Sequence, residues 1–113
     1  MRYALLIAYD ETTDAAMSPK EQQAQMAEYM AFQEQVGASI LAGERLHPTS
    51  DATTVQVRDG EVLTSDGPFA ETKEQMAGFY LVEAKDLDEA IDIAGRIPGA
   101  KRGSIEVRPI WDM

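Results

Sequence analysis

Apolar residues in this chain recur with two periods, and the alternation between them lays out the fold. Residues Arg2 to Tyr9 are apolar on both alternating sets, with Tyr3, Leu5, Ile7 and Tyr9 on one and Ala4, Leu6 and Ala8 on the other. A strand with two apolar faces is covered on both sides. Asp10 to Met17 reads as a polar loop. Ser18-Pro19-Lys20-Glu21 then carries an N-cap serine, proline at the first helical position and glutamate three residues after the cap, which is a helix start. Met26, Tyr29, Met30, Phe32 and Val36 give that helix a broad apolar face, and Gly37 offers its stop.

Extended pattern resumes over Ser39 to Leu46 and breaks at Pro48. Thr53 to Arg58 alternates and is β-branched, Asp59-Gly60 is a two-residue turn, and Glu61 to Thr64 follows, so a hairpin with a type I′ turn is predicted. Gly78 to Ala84 forms another strand. Asp86 caps a second helix whose stripe is Leu87, Ala90, Ile91, Ala94 and Ile97, and Pro98-Gly99 ends it. Ser104 to Ile110 closes the chain as a strand, with Pro109 marking an edge or a strand end. Setting the hairpin aside as an insertion leaves βαββαβ, the ferredoxin-like α+β arrangement.

Two helices can cover one face of such a sheet. Leu6, Tyr80 and Val82 fall on sets opposite to Leu5, Leu81 and Phe79, so a second face also needs cover. A second copy of the chain, packed sheet to sheet, is the economical solution, and a homodimer is expected.

Composition narrows the functional classes. The chain has 113 residues, enough for one domain with its own core. It contains no cysteine, which excludes disulfides, thiolate metal sites and thiol nucleophiles. One histidine and no calcium-loop spacing leave no dedicated metal site, and no glycine-rich phosphate loop or serine-triad motif is present, so no cofactor is expected. A formal charge of −10 repels phosphate backbones and argues against direct nucleic-acid binding. The N-terminal apolar run meets Asp10-Glu11 too early for a membrane span and lacks a cleavage site, so a cytoplasmic protein is expected.

The run SDGPFAETKE, from Ser65 to Glu74, is the least ordinary stretch. Asp66 suits an Asx turn, Pro68 biases Gly67 toward an extended shape, Phe69 is an apolar peg, and Thr72 with Gln75 can cap a short helical turn. These features make a rigid corner. The functional alternative holds Asp66 or Glu71 at the mouth of a cleft.

His47, at a strand end, has a side chain suited to proton transfer near neutrality, with Asp66 as its candidate carboxylate; a surface imidazole is the alternative. Glu44 and Arg45 fall within the second strand, and Glu106 and Arg108 share one face of the last. Arg108 can clamp a carboxylate or phosphate ligand, or close an inter-strand or dimer salt bridge. Tyr80 with Tyr3 and Tyr9 can line a pocket or fill the core. A small-molecule site built from His47, Asp66 and Arg108 is the first functional expectation, with cofactor-independent acid–base chemistry as its reaction class.

The segment DGPFAETKEQMAGFYLVEAKDLDEAIDIAGRIP, followed by GSIEVRPI, resembles the YCII-related family in its DGPF-motif branch. YALLI, SPKE, LAGERLHP and ATTVQVRDGEVLTSDGPF extend the resemblance over nearly the whole chain. It implies a ferredoxin-like fold dimerising into an α/β barrel. Members are often encoded beside extracytoplasmic-function sigma factors, which motivates a regulatory alternative in which the acidic surface docks a sigma factor or another basic protein. Some relatives are proposed to carry a histidine–aspartate pair with the histidine on the first helix. Here Pro19 to Val36 contains no histidine, so that pair is not carried across.

Overall fold

The structure, a computed structural model, describes residues 1–112. Strand β1 spans Arg2–Tyr9, followed by a short helix α1 at Glu11–Ala15 and the long helix α2 at Pro19–Val36. Strand β2 (Ile40–Arg45) precedes the hairpin strands β3 (Thr53–Arg58) and β4 (Glu61–Asp66). Strand β5 (Gln75–Glu83), helix α3 (Leu87–Arg96) and strand β6 (Ser104–Pro109) complete the fold. The main sheet has the order β2-β5-β1-β6, with every neighbouring pair antiparallel. The protein is therefore a mixed α+β structure.

Local chemistry accounts for these boundaries. The Ser18 hydroxyl accepts from the Glu21 amide, and the Glu21 carboxylate accepts from the Ser18 amide, both at 3.2 Å. Such a reciprocal cap contributes about 1 kcal/mol to a helix start. Asp86 likewise accepts from the Glu89 amide at 2.9 Å and opens α3. Asp59 (φ 51°) and Gly60 (φ 78°) are both left-handed, as a type I′ hairpin turn requires.

The register sorts the side chains by face. Leu5 pairs with Tyr80 and Val107, and Tyr3 with Val82, so these point together toward the helices. With Ile7, Phe32, Ala90, Ile93, Ala94 and Ile97 they make the core. Leu6 pairs with Phe79, and Ala4 with Leu81, on the other face. The sets expected from alternation within single strands therefore regroup: Leu6 joins Phe79 and Leu81, and Leu5 joins Tyr80 and Val82. Pairing across strands decides the grouping, and single-strand alternation does not carry it.

Other expectations shift for similar reasons. Residues 11–15 are helical because Asp10 caps them, accepting from the Thr12 amide at 2.9 Å. In α2 only Phe32 is buried, while Met26 and Met30 stay more than 60% exposed. The α3 stripe is Ala90, Ile93, Ala94 and Ile97, at the i, i+3, i+4, i+7 positions, and Leu87 and Ile91 are about half exposed. Strand β5 starts at Gln75, and its side chain donates to the Thr72 carbonyl at 2.6 Å, so no helical turn forms there. Gly67 adopts φ 95°, a left-handed value in place of the extended shape expected before proline. Phe69 is 83% exposed, so it is not buried as an apolar peg.

Candidate functional site

The site lies between α2 and the β2–β5 edge of the sheet, where two glycines allow close packing. On the helix-facing side, Gly43 pairs with Tyr80 and Arg45 with Gly78. A Cβ at Gly43 would come within 2.5 Å of the Tyr80 ring, and one at Gly78 within 2.7 Å of the Glu44 carbonyl oxygen. Glycine at these two positions lets the Tyr80 ring and the Glu44 backbone approach closely. The register slips between Ile7 and Ala8, where Ala77 is the extra residue of β5. Bulges of this kind bend a strand and re-aim its neighbours. The Ala77 carbonyl then accepts from the Leu46 amide at 2.8 Å, fixing where β2 leaves the sheet.

A cavity of about 440 Å³ fills the gap, within the range of small-molecule sites. Its roof comes from one side of α2, where Gln22, Gln25, Met26, Tyr29 and Gln33 follow helical spacing. Its floor is Ile7, Tyr9 and Tyr80, with Gly43 and Gly78 at the edge. The Gln33 amide donates to the Tyr80 hydroxyl at 3.0 Å, and the Tyr80 ring tilts at 54° against Phe32. A charged pair closes one end: Arg45 Nη2 donates to Asp14 Oδ2 at 3.4 Å.

A second cavity, of about 560 Å³, shares Tyr9, Asp14, Arg45 and Ala77 with the first and adds Glu11, Leu46, His47 and Pro48. Its frame is stitched by Glu11, whose carboxylate accepts from both the amide and the hydroxyl of Thr49 at 2.8 Å. The Glu11 amide donates in turn to Gln75 Oε1 at 2.9 Å. Short helix α1 is thereby tied to the loop after β2 and to the start of β5.

Electrostatics in the cleft favour neutral phenols. Burial, and then the Asp14 carboxylate, raise the Tyr9 phenol above its usual range. Burial, and then Tyr9, push Tyr29 up to about 12. A phenol whose pKa is higher folded than unfolded supports the fold fully below pH ~10 and loses that support as pH climbs toward 12. Tyr29→Phe is expected to flatten the fall in stability over this window by about 1 kcal/mol, allowing for partial solvent screening. Urea unfolding at pH 9 to 12, with the two proteins falling in parallel, would remove Tyr29 from this role.

The residues singled out from sequence scatter. Glu44 and Tyr80 line the first cavity and His47 the second, while Asp66 and Arg108 line neither. The imidazole Nδ1 of His47 lies 3.0 Å from Asp51 Oδ2, not against Asp66, because the 3₁₀ turn at Thr49–Asp51 folds the nearer carboxylate back. Asp66 ends β4 opposite Thr53, on the hairpin. Arg108 forms an ion pair with Glu106, two residues away on the same edge strand β6, in place of the inter-strand or dimer bridge expected for it. Glu71 is exposed in the loop before β5. Sequence reasoning missed Tyr29, Gln33 and Asp14. The one available signal was Arg45, a charge inside a strand.

This geometry defines an antiparallel α+β protein with a polar–aromatic cleft between one helix and a sheet edge. The chain belongs to the YCII-related domain family, which matches residues 1–113. It is 42% identical to an uncharacterized protein of Rhizobium meliloti (strain 1021), over 97% of this chain and 92% of that one. In three dimensions it resembles 5-chloro-2-hydroxyhydroquinone dehydrochlorinase from Burkholderia phenoliruptrix AC1100, solved in complex with 2,5-dihydroxybenzoquinone. That likeness has a TM-score of 0.50 at 17% identity and covers 99% of this chain and 94% of the other, so it speaks to fold alone.

Proposed function

We propose that the protein binds a small molecule in the cleft between α2 and the β2–β5 edge. The observation that carries this is the 440 Å³ cavity, with tyrosine and glutamine groups converging on an apolar floor. A protein of similar fold holding a dihydroxybenzoquinone supports a small oxygenated ring as the scale of ligand. The strand order β2-β5-β1-β6 supports the ferredoxin-like βαββαβ arrangement, with β3–β4 as an inserted hairpin. The half-buried face of Ala4, Leu6, Phe79 and Leu81 supports a dimer in which two sheets meet and close an α/β barrel. His47 with Asp51, bordering the adjoining cavity, is the pair to which acid–base chemistry would fall.

A fragment screen by ligand-observed NMR tests the cleft. Hits are expected to bind the native protein and to lose binding in Gln25→Trp, which places an indole in the roof. Val62→Thr on the hairpin is expected to leave them unchanged. Hits indifferent to Gln25→Trp would move the ligand site elsewhere.

A further inference from the structure

We propose that Arg45 makes this cleft selective for small ring compounds bearing a single anionic oxygen group, a carboxylate, enolate or phenolate. The inference rests on the cleft being the ligand site and adds the class of ligand it selects. Arg45 is the one Lys or Arg among the residues lining either cavity, and it borders both. Its guanidinium has five N–H donors, and among the described residues only the bond from Nη2 to Asp14 occupies any of them. That bond is long for a charge-assisted contact, and the arginine side chain is 78% exposed against 26% for Asp14. The carboxylate is the more buried partner and the guanidinium the more exposed one.

The remaining groups agree on an acceptor-bearing ligand. The Tyr80 oxygen accepts from the Gln33 amide, so its own O–H is available to donate. Tyr29 keeps its proton throughout the neutral range. Below these donors, Ile7 and the tyrosine faces offer a flat apolar bed suited to a ring. A cationic ligand would compete with Arg45 for Asp14 and meet like charge. A second negative charge on the ligand would meet Asp14, Glu44 and Glu11, inside a chain of formal charge −10. The place for one anionic oxygen is therefore directly on the unused N–H donors of the guanidinium, away from these carboxylates; Asp14 acts as a positioning residue that orients Arg45.

Matched acid and amide pairs test the idea because each pair shares its ring and shape. Benzoate with benzamide, 4-hydroxybenzoate with 4-hydroxybenzamide, and nicotinate with nicotinamide would be titrated by NMR and calorimetry. The native protein is expected to prefer the acid by about tenfold, the scale of one charge-assisted contact. Arg45→Gln is expected to bring acid and amide within about twofold of each other while amide binding is unchanged, and Arg45→Lys to keep part of the preference. Equal binding of acid and amide by the native protein, or a preference that survives Arg45→Gln, overturns the role of Arg45 and leaves the cleft standing. Absence of binding by every compound overturns both the selectivity and the cleft. Circular dichroism and melting of the variants confirm that they are folded.

Discussion

Gly103→Ala is expected to destabilise the protein by about 3 kcal/mol and to disturb Tyr9 at the same time. A Cβ at this position would sit 2.1 Å from the Ala8 carbonyl oxygen and 2.7 Å from the Tyr9 Cβ. Both neighbours belong to the central strand β1, whose backbone is paired to β5 on one side and β6 on the other. No flexible side chain can move aside, so β1 itself must shift, and Tyr9 borders both cavities. Gly95→Ala is the matched control. It lies within α3 with nothing inside 4 Å of its would-be Cβ, so alanine there is expected to stabilise by about 0.5–1 kcal/mol. Urea unfolding of the two variants reads the contrast directly. A Gly103→Ala protein as stable as the parent would mean that the start of β6 is loosely held.

The scaffold was readable from sequence where a local rule sufficed. Ser18-Pro19 and Asp86 announced the two long helices through capping chemistry, and Asp59-Gly60 announced the hairpin through its need for left-handed backbone. The cleft was not readable, because it is made by distance. Its floor joins Ile7 and Tyr9 of β1 to Tyr80 of β5, far apart in the chain, and the Tyr80 ring packs against Gly43 of a third strand. Its donors come from Tyr29 and Gln33, which sequence periodicity assigns to a core face or to solvent, and its charged end joins Arg45 to Asp14 across 31 positions. His47 shows the converse. The conspicuous SDGPF run offers Asp66 as its carboxylate, yet Asp51, four residues on, meets it through a local turn.

Leu5→Ala and Leu6→Ala together test how the sheet is shared, and the first should show the largest stability loss of any substitution considered. Leu5 is fully buried between the strands and the helices, so its truncation leaves a cavity costing about 2–5 kcal/mol at any protein concentration. Leu6 is one residue away but faces the other side, beside Phe79 and Ala4, where it is only half-buried among the described residues. If a second copy packs there, Leu6→Ala weakens association, and its melting temperature will fall further as the protein is diluted by about a hundredfold. The parent protein will show a shallower fall of the same kind. If the face is instead solvated, Leu6→Ala costs no more than about 0.5 kcal/mol and neither protein responds to dilution. Sedimentation at the two concentrations separates these outcomes, and a lone chain at both would end the sheet-to-sheet dimer while leaving the cleft, which one subunit builds by itself, intact.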